Sequence, residues 1–159
     1  MNPAATGSNQ AGLGLAEVVS GCMAEIDYAF LAEYARVDPA SGTLTAVGAS
    51  WTYVQSSEFP SAHRMSVAGR IRSTMAEGDV SLRISITAPG GTFSITAESI
   101  LTPNPASRPY ADGRVGLIFA LDVQVPLPGP GLYEVVVTLP ESEAQRVLRF
   151  EAEAIPSQG

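Results

Sequence analysis

Lysine is missing from this chain of 159 residues, and all nine of its positive side chains are arginine. Set against sixteen Asp and Glu, they leave a formal charge of −7. That balance excludes a general nucleic-acid or anionic-membrane binder, because neither long-range steering nor counterion release favours docking on phosphates. One cysteine and one histidine cannot furnish a Cys/His zinc cage or an intramolecular disulfide, so no metal and no cofactor is expected. Long apolar runs are also lacking. The longest, Val115 to Val125, contains Asp122 and runs into Pro126, short of the ~18 uncharged residues a transmembrane helix needs.

What is present is a 45% hydrophobic chain, long enough for one self-sufficient core. Residues 1 to 22 are small and polar, and composition shifts sharply at Met23. We read 1–22 as a disordered or non-native extension, with translation from Met23 as one explanation, and 23–159 as a single domain. Val19-Ser20-Gly21-Cys22 resembles the lipobox of bacterial lipoprotein signals, but no Arg or Lys precedes it and Glu17 interrupts its apolar run. The expected compartment is the cytoplasm. A lipid on Cys22 is the one route to a membrane.

From Met65 onward, apolar and polar residues alternate with period two, as in strands with one buried face. Met65, Val67, Gly69 and Ile71 form one such row, and every even position from Val80 to Ala88 another. Further rows contain Phe93 and Ile95; Val115 to Val123; Tyr133 to Leu139; and Leu148, Phe150 and Ala152. Residues 43–54 read as one more strand, with Gly48 marking a bulge or a close backbone approach. In residues 24–37, Ile26, Phe30, Tyr34 and Val37 fit helical spacing, and Ile26, Tyr28, Phe30, Ala32 and Tyr34 fit the apolar row of a strand equally well; the short Asp38-to-Gly42 connection and the β character of the rest favour a strand. About eight strands joined by short turns predict an all-β, antiparallel sandwich.

Gly131-Leu132-Tyr133, opening a late strand with Val135 two positions on, resembles the tyrosine corner of immunoglobulin-like sandwiches, which makes Tyr133 a structural anchor. No Cys pair accompanies it, and Trp51 lies on the second strand where the third is expected. The expectation is therefore immunoglobulin-like in architecture.

Leu31 to Asp38 (LAEYARVD), Gly42 to Ala49 (GTLTAVGA), Phe59-Pro60 and the closing Pro130-Gly131-Leu132-Tyr133 carry a wider likeness. Over roughly residues 24–153 the chain resembles a bacterial family of short β-sandwich proteins, a domain of unknown function. The resemblance implies a fold and brings no activity, substrate or catalytic residue with it.

No catalytic residue is assigned from the sequence. His63, the only side chain suited to general base work near neutrality, sits in a Ser-Ala-His-Arg loop, and no Gly-x-Ser-x-Gly elbow occurs. Asp38, Asp79 and Asp112 lie in separate turns without a calcium-ligand series. Two binding candidates stand out. If strands 65–72 and 80–88 pair as a hairpin, Arg70 falls opposite Arg83 with Arg72 alongside, forming a patch for an anion or an acidic partner unless Glu98 neutralises Arg83. Trp51 and Tyr53, on one face of the second strand, offer an aromatic platform or a piece of core. The expected function is non-catalytic protein binding or self-association, with glycan or anion binding as the alternative and a hydrolase the least favoured.

Overall fold

The computed structural model describes residues 23–104 and 106–156, and Cys22 with the rest of 1–22 lies outside them. The chain forms β1 (Glu25–Val37), β2 (Leu44–Ala49), β3 (Tyr53–Ser56), β4 (Ser61–Thr74), β5 (Val80–Thr87), β6 (Ser94–Leu101), β7 (Arg114–Leu127), β8 (Gly131–Leu139) and β9 (Ala144–Ala154). They make two sheets, ordered β2-β1-β4-β7 and β3-β9-β8-β5-β6. All neighbours are antiparallel except β3 and β9, which run parallel. The all-β sandwich expected from periodicity is therefore present, and residues 24–37 are strand. No helix among the described residues is long and apolar enough to cross a membrane.

The alternating rows face each other across one core. Met65, Val67 and Ile71 from β4 meet Leu82, Ile84 and Ile86 from β5, Phe119 from β7, Tyr133 and Val135 from β8, and Phe150 from β9. All are essentially inaccessible to water. Removing these rows from water is the main force holding the sheets together. Gly69 is required by close approach, since a Cβ there would lie 2.3 Å from the Tyr28 carbonyl oxygen and 2.8 Å from Phe119 Cζ.

Three expectations need correction. Residues 43–54 are two strands in different sheets: the chain leaves β2 at Ser50, with φ +64°, and enters β3 at Tyr53, which brings the count to nine. Second, β4 and β5 do not form a hairpin. β4 pairs with β1 and β7, and β5 with β6 and β8, so the 75–79 turn carries the chain from one sheet to the other. Alternation marks which face of a strand is buried but not which strand lies beside it.

Third, β1 does not keep one face throughout. Its register slips between Ile26 and Tyr28, leaving Asp27 as an extra residue. A bulge of this kind switches every later side chain to the opposite face. Leu31 therefore enters the core opposite Val67, while Tyr28 and Phe30 stack on the outer face, 6.2 Å apart, over Arg70 and Ala68. Phe30, Leu44 and Ala120 pack there against Ala32, Ala35 and Ala68 in a small second cluster.

The Tyr133 anchor expected from the Gly-x-Tyr spacing is in place. Its buried ring stacks on Phe150 at 5.0 Å, and its hydroxyl donates to the Gly129 carbonyl at 2.8 Å. Burial pushes the phenol pKa up despite that bond. Replacing Tyr133 by Phe keeps the ring and removes the bond, so stability should fall by about 1 kcal/mol. The check is a lower urea midpoint at unchanged m-value.

Candidate functional site

A cleft opens where β2 gives way to β3. The positive φ of Ser50 turns the chain so that Trp51 points between the sheets. Its indole meets Phe150 edge-on at 5.4 Å and 73°, and His63 at 5.4 Å and 88°. Tyr53, two residues on in β3, remains 58% exposed. Glu33 from β1, with Val54 and Gln55 from β3, completes a cleft of about 330 Å³ with Trp51, Tyr53 and His63. That is near the lower size limit, about 300 Å³, for small-molecule sites.

Gly48 holds the Glu33 side chain in position. It has φ +58°, and a Cβ on it would come within 2.6 to 2.8 Å of the Glu33 Cδ, Cγ and Oε2 atoms. The close approach expected at Gly48 is thus a contact with a carboxylate side chain.

Two polar atoms of the cleft walls, Trp51 Nε1 and His63 Nε2, are buried without a hydrogen-bond partner in the protein. An unpaired buried polar atom is costly, on the order of 1–3 kcal/mol. Burial pushes the His63 pKa below its ordinary 6.5, and the nearby negative charge of Glu33 opposes that shift only in part. His63 therefore faces the cleft neutral at pH 7. The structure pairs it with Trp51 and Glu33, and among the described residues no serine, cysteine or threonine lines the cleft with them.

The arginine patch is dispersed and neutralised. Arg70 lies on β4 in one sheet, with Tyr28 and Ile118 as register neighbours; Arg83 lies on β5 in the other, between Glu98 and Thr138. The Asp27 bulge places a carboxylate beside Arg70, whose Nε donates to Asp27 Oδ2 at 2.6 Å. The Arg70 guanidinium also lies 5.1 Å from the centre of the Tyr28 ring. Arg72 pairs with Glu25 and lies 3.7 Å from Asp27. Arg114 bonds the same Glu25 at 2.7 Å. Arg83 Nε reaches Glu98 Oε1 at 2.8 Å directly across the strand pair. Glu98 thus neutralises Arg83 from the position directly opposite it, and the Arg70/Arg83 juxtaposition does not exist.

Two further carboxylates are similarly engaged. Asp122 accepts from the Ser66 hydroxyl at 2.5 Å and from Arg64 at 2.9 Å, which lowers its pKa. Asp38 accepts the backbone N–H groups of Ser41 and Ala40, and its pKa falls for that reason. No group of three or more His, Cys, Asp or Glu among the described residues is placed to hold a metal ion.

Sequence reasoning set Trp51 beside Tyr53 and took His63 apart from them. Glu33, one of several carboxylates in the sequence, was not placed with them, and Gln55 was missed.

These features define an all-β two-sheet protein with an aromatic cleft at one open side. Its sequence matches, over residues 27–149, a family of unknown function (DUF6941), and the chain belongs to that family. No curated protein matches it.

The His63 environment sets a pH dependence. The unfolded chain takes up a proton at His63 more readily than the folded protein, so acid favours unfolding. This contribution is fully present above pH 6.5 and is lost as pH falls below it toward the depressed folded value. The lowered pKa values of Asp38 and Asp122 act in a separate window, below about 3.8. The melting temperature should fall between pH 7.5 and 5.5, and His63→Phe should flatten that fall; an equal slope in the variant would assign it to other groups.

Proposed function

We propose that this protein is a non-catalytic assembly module that pairs with a second copy of itself along β6. The supporting observation is that β6 is the one sheet edge among the described strands left without protection. β2 is interrupted by Gly48 and followed by Ser50, both at positive φ. β3 is four residues long. β7 carries Pro126 near its end, and the bridge from Tyr110 to Arg114 covers its start. Short edges, bulges, prolines and covering loops are the devices that keep edges from pairing.

β6 has none of them. It runs eight residues, Ser-Ile-Thr-Ala-Glu-Ser-Ile-Leu, with no positive φ. Its one charge, Glu98, is already paired with Arg83. Its inward row, Ile95 and Ala97, stays half-buried beside a small apolar gap reaching Ile84, Ile86 and Val123.

The strand is complementary to itself. An antiparallel pair centred on Ala97 sets Ile95 against Ser99 and Thr96 against Glu98, with no like charges opposed. It also keeps the inward row of each copy facing inward. Such a pair extends the five-stranded sheet across a two-fold axis. The wider architecture we read as immunoglobulin-like, a reading supported by the parallel β3–β9 pair and the Tyr133–Gly129 bond.

Light scattering should therefore find a dimer. Two copies at −7 each repel at long range, so association should tighten from low salt to about 0.15 M, where the screening length is ~8 Å. Thr96→Glu sets two carboxylate pairs across the interface at up to ~1 kcal/mol each, weakening the dimer about tenfold or more. Thr96→Lys should preserve or strengthen it. A wild-type monomer at every concentration, or a dimer indifferent to both changes, would refute the reading.

A further inference from the structure

We propose that the Trp51/Tyr53 cleft binds an organic cation, a guanidinium or alkylammonium group, held between the aromatic rings and the Glu33 carboxylate. The site lies on the β2/β3 side of the sandwich, away from the β6 edge, so the inference is independent of the assembly reading.

Three observations carry it. The cleft presents aromatic rings at graded depth, with Tyr53 exposed and Trp51 half-buried, and ring faces attract cations through their quadrupole. Among the described residues, Glu33 is the one charged side chain that lines it. The rim adds carboxylates of the same sign, because Tyr53 pairs in register with Glu151, and Gln55 with Glu153.

Among the described residues, two arginines close to these groups along the chain are engaged elsewhere. Arg149, on the same strand as those glutamates, reaches Glu134 at 3.0 Å, and Arg64, next to His63, reaches Asp122 at 2.9 Å. The cleft therefore concentrates negative charge beside aromatic rings, and its lining among the described residues supplies no cation to neutralise it.

Anionic ligands are disfavoured by that charge. A neutral sugar would stack on the rings and donate hydroxyl hydrogen bonds to the carboxylate, but it carries no charge for the carboxylate or the ring faces to attract. A cation draws on the ring quadrupole and the carboxylate charge together, and its apolar flank packs on Tyr53 and Val54. Two sources supply this chemistry: a small free amine, or a Lys or Arg side chain of a partner protein.

Trp51 is the only tryptophan in the chain, so its fluorescence reports on the cleft directly. We would titrate the full chain with tetramethylammonium chloride, with arginine amide, and with a short peptide containing one arginine. Sodium chloride would hold ionic strength constant, and 3,3-dimethylbutanol would serve as a neutral probe of similar shape. A saturable change with the cations is expected. Glu33→Gln should weaken binding several-fold, the loss of one solvent-exposed ion pair. Tyr53→Ala, at an exposed position, should weaken it several-fold with the fold intact.

Binding of the small cations assigns the site to a free amine; binding of the peptide alone assigns it to a partner's side chain. No saturable change with any probe, equal affinity for the neutral alcohol, or cation binding unaffected by Glu33→Gln would each overturn the proposal. Repeating the titration in the Thr96→Glu background separates this result from the oligomeric state.

Discussion

The stacked Tyr133–Phe150 pair is the contact on which the rest of the molecule depends. The two rings lie 5.0 Å apart at 11°, wholly buried on adjacent strands, and the Tyr133 hydroxyl ties β8 to the turn before it. Phe150 in turn meets Trp51 in a T-shaped contact, and Trp51 meets His63 in another. This chain of rings runs from the centre of one sheet, through the β2–β3 crossing, to β4 of the other. Aromatic side chains suit the role because each buries a large area and adds a directional ring contact. The cleft exists because the last two rings of the chain sit at the open side of the sandwich.

Charge is distributed by the same logic of position. The protein is acidic, yet Arg70 and Arg72 share a close network with Asp27 and Glu25, which Arg114 joins. The bulge in β1 makes this possible, since an extra residue redirects a carboxylate to where regular strand geometry would not place it. Ion pairs at this exposure contribute little to stability one by one. Their larger effect is on where charge is left over. Arg70, Arg72 and Arg114 are engaged on the four-stranded sheet, while Glu33 lines the aromatic cleft and Glu151 and Glu153 stand in register with Tyr53 and Gln55 beside it.

Edges follow a third constraint. A sheet that does not close on itself leaves unpaired backbone groups, and three of the four edges here are shortened, kinked or covered. The sandwich is thus asymmetric. One open side is lined by aromatic rings and carboxylates, and the other by a regular, nearly uncharged strand. The family to which the chain belongs has no assigned function, so these two sides are where a physical account of one must start.

Much of this was legible in the residues alone. Alternation placed the inward rows of β4, β5, β7, β8 and β9 because a half-buried strand must repeat every two residues. Gly131-Leu132-Tyr133 announced a local bond between residues four apart, which depends only on nearby backbone. What failed was non-local. Arg70 and Arg83 share a periodicity but not a sheet, since facing layers impose the same pattern on partners and on strangers. The Asp27 bulge left no mark in composition, so the two faces of β1 were exchanged. Trp51, His63 and Glu33 come from three segments, and their meeting depends on a crossing at Ser50 that no local signal demanded. The sequence by itself determined the class of fold, the buried faces of β4, β5, β7, β8 and β9 and the Tyr133 anchor, all consequences of short-range geometry and of the need to bury apolar surface. Only the tertiary structure decided which strands pair, which charges cancel and where the cleft opens, because those outcomes depend on contacts between segments distant along the chain.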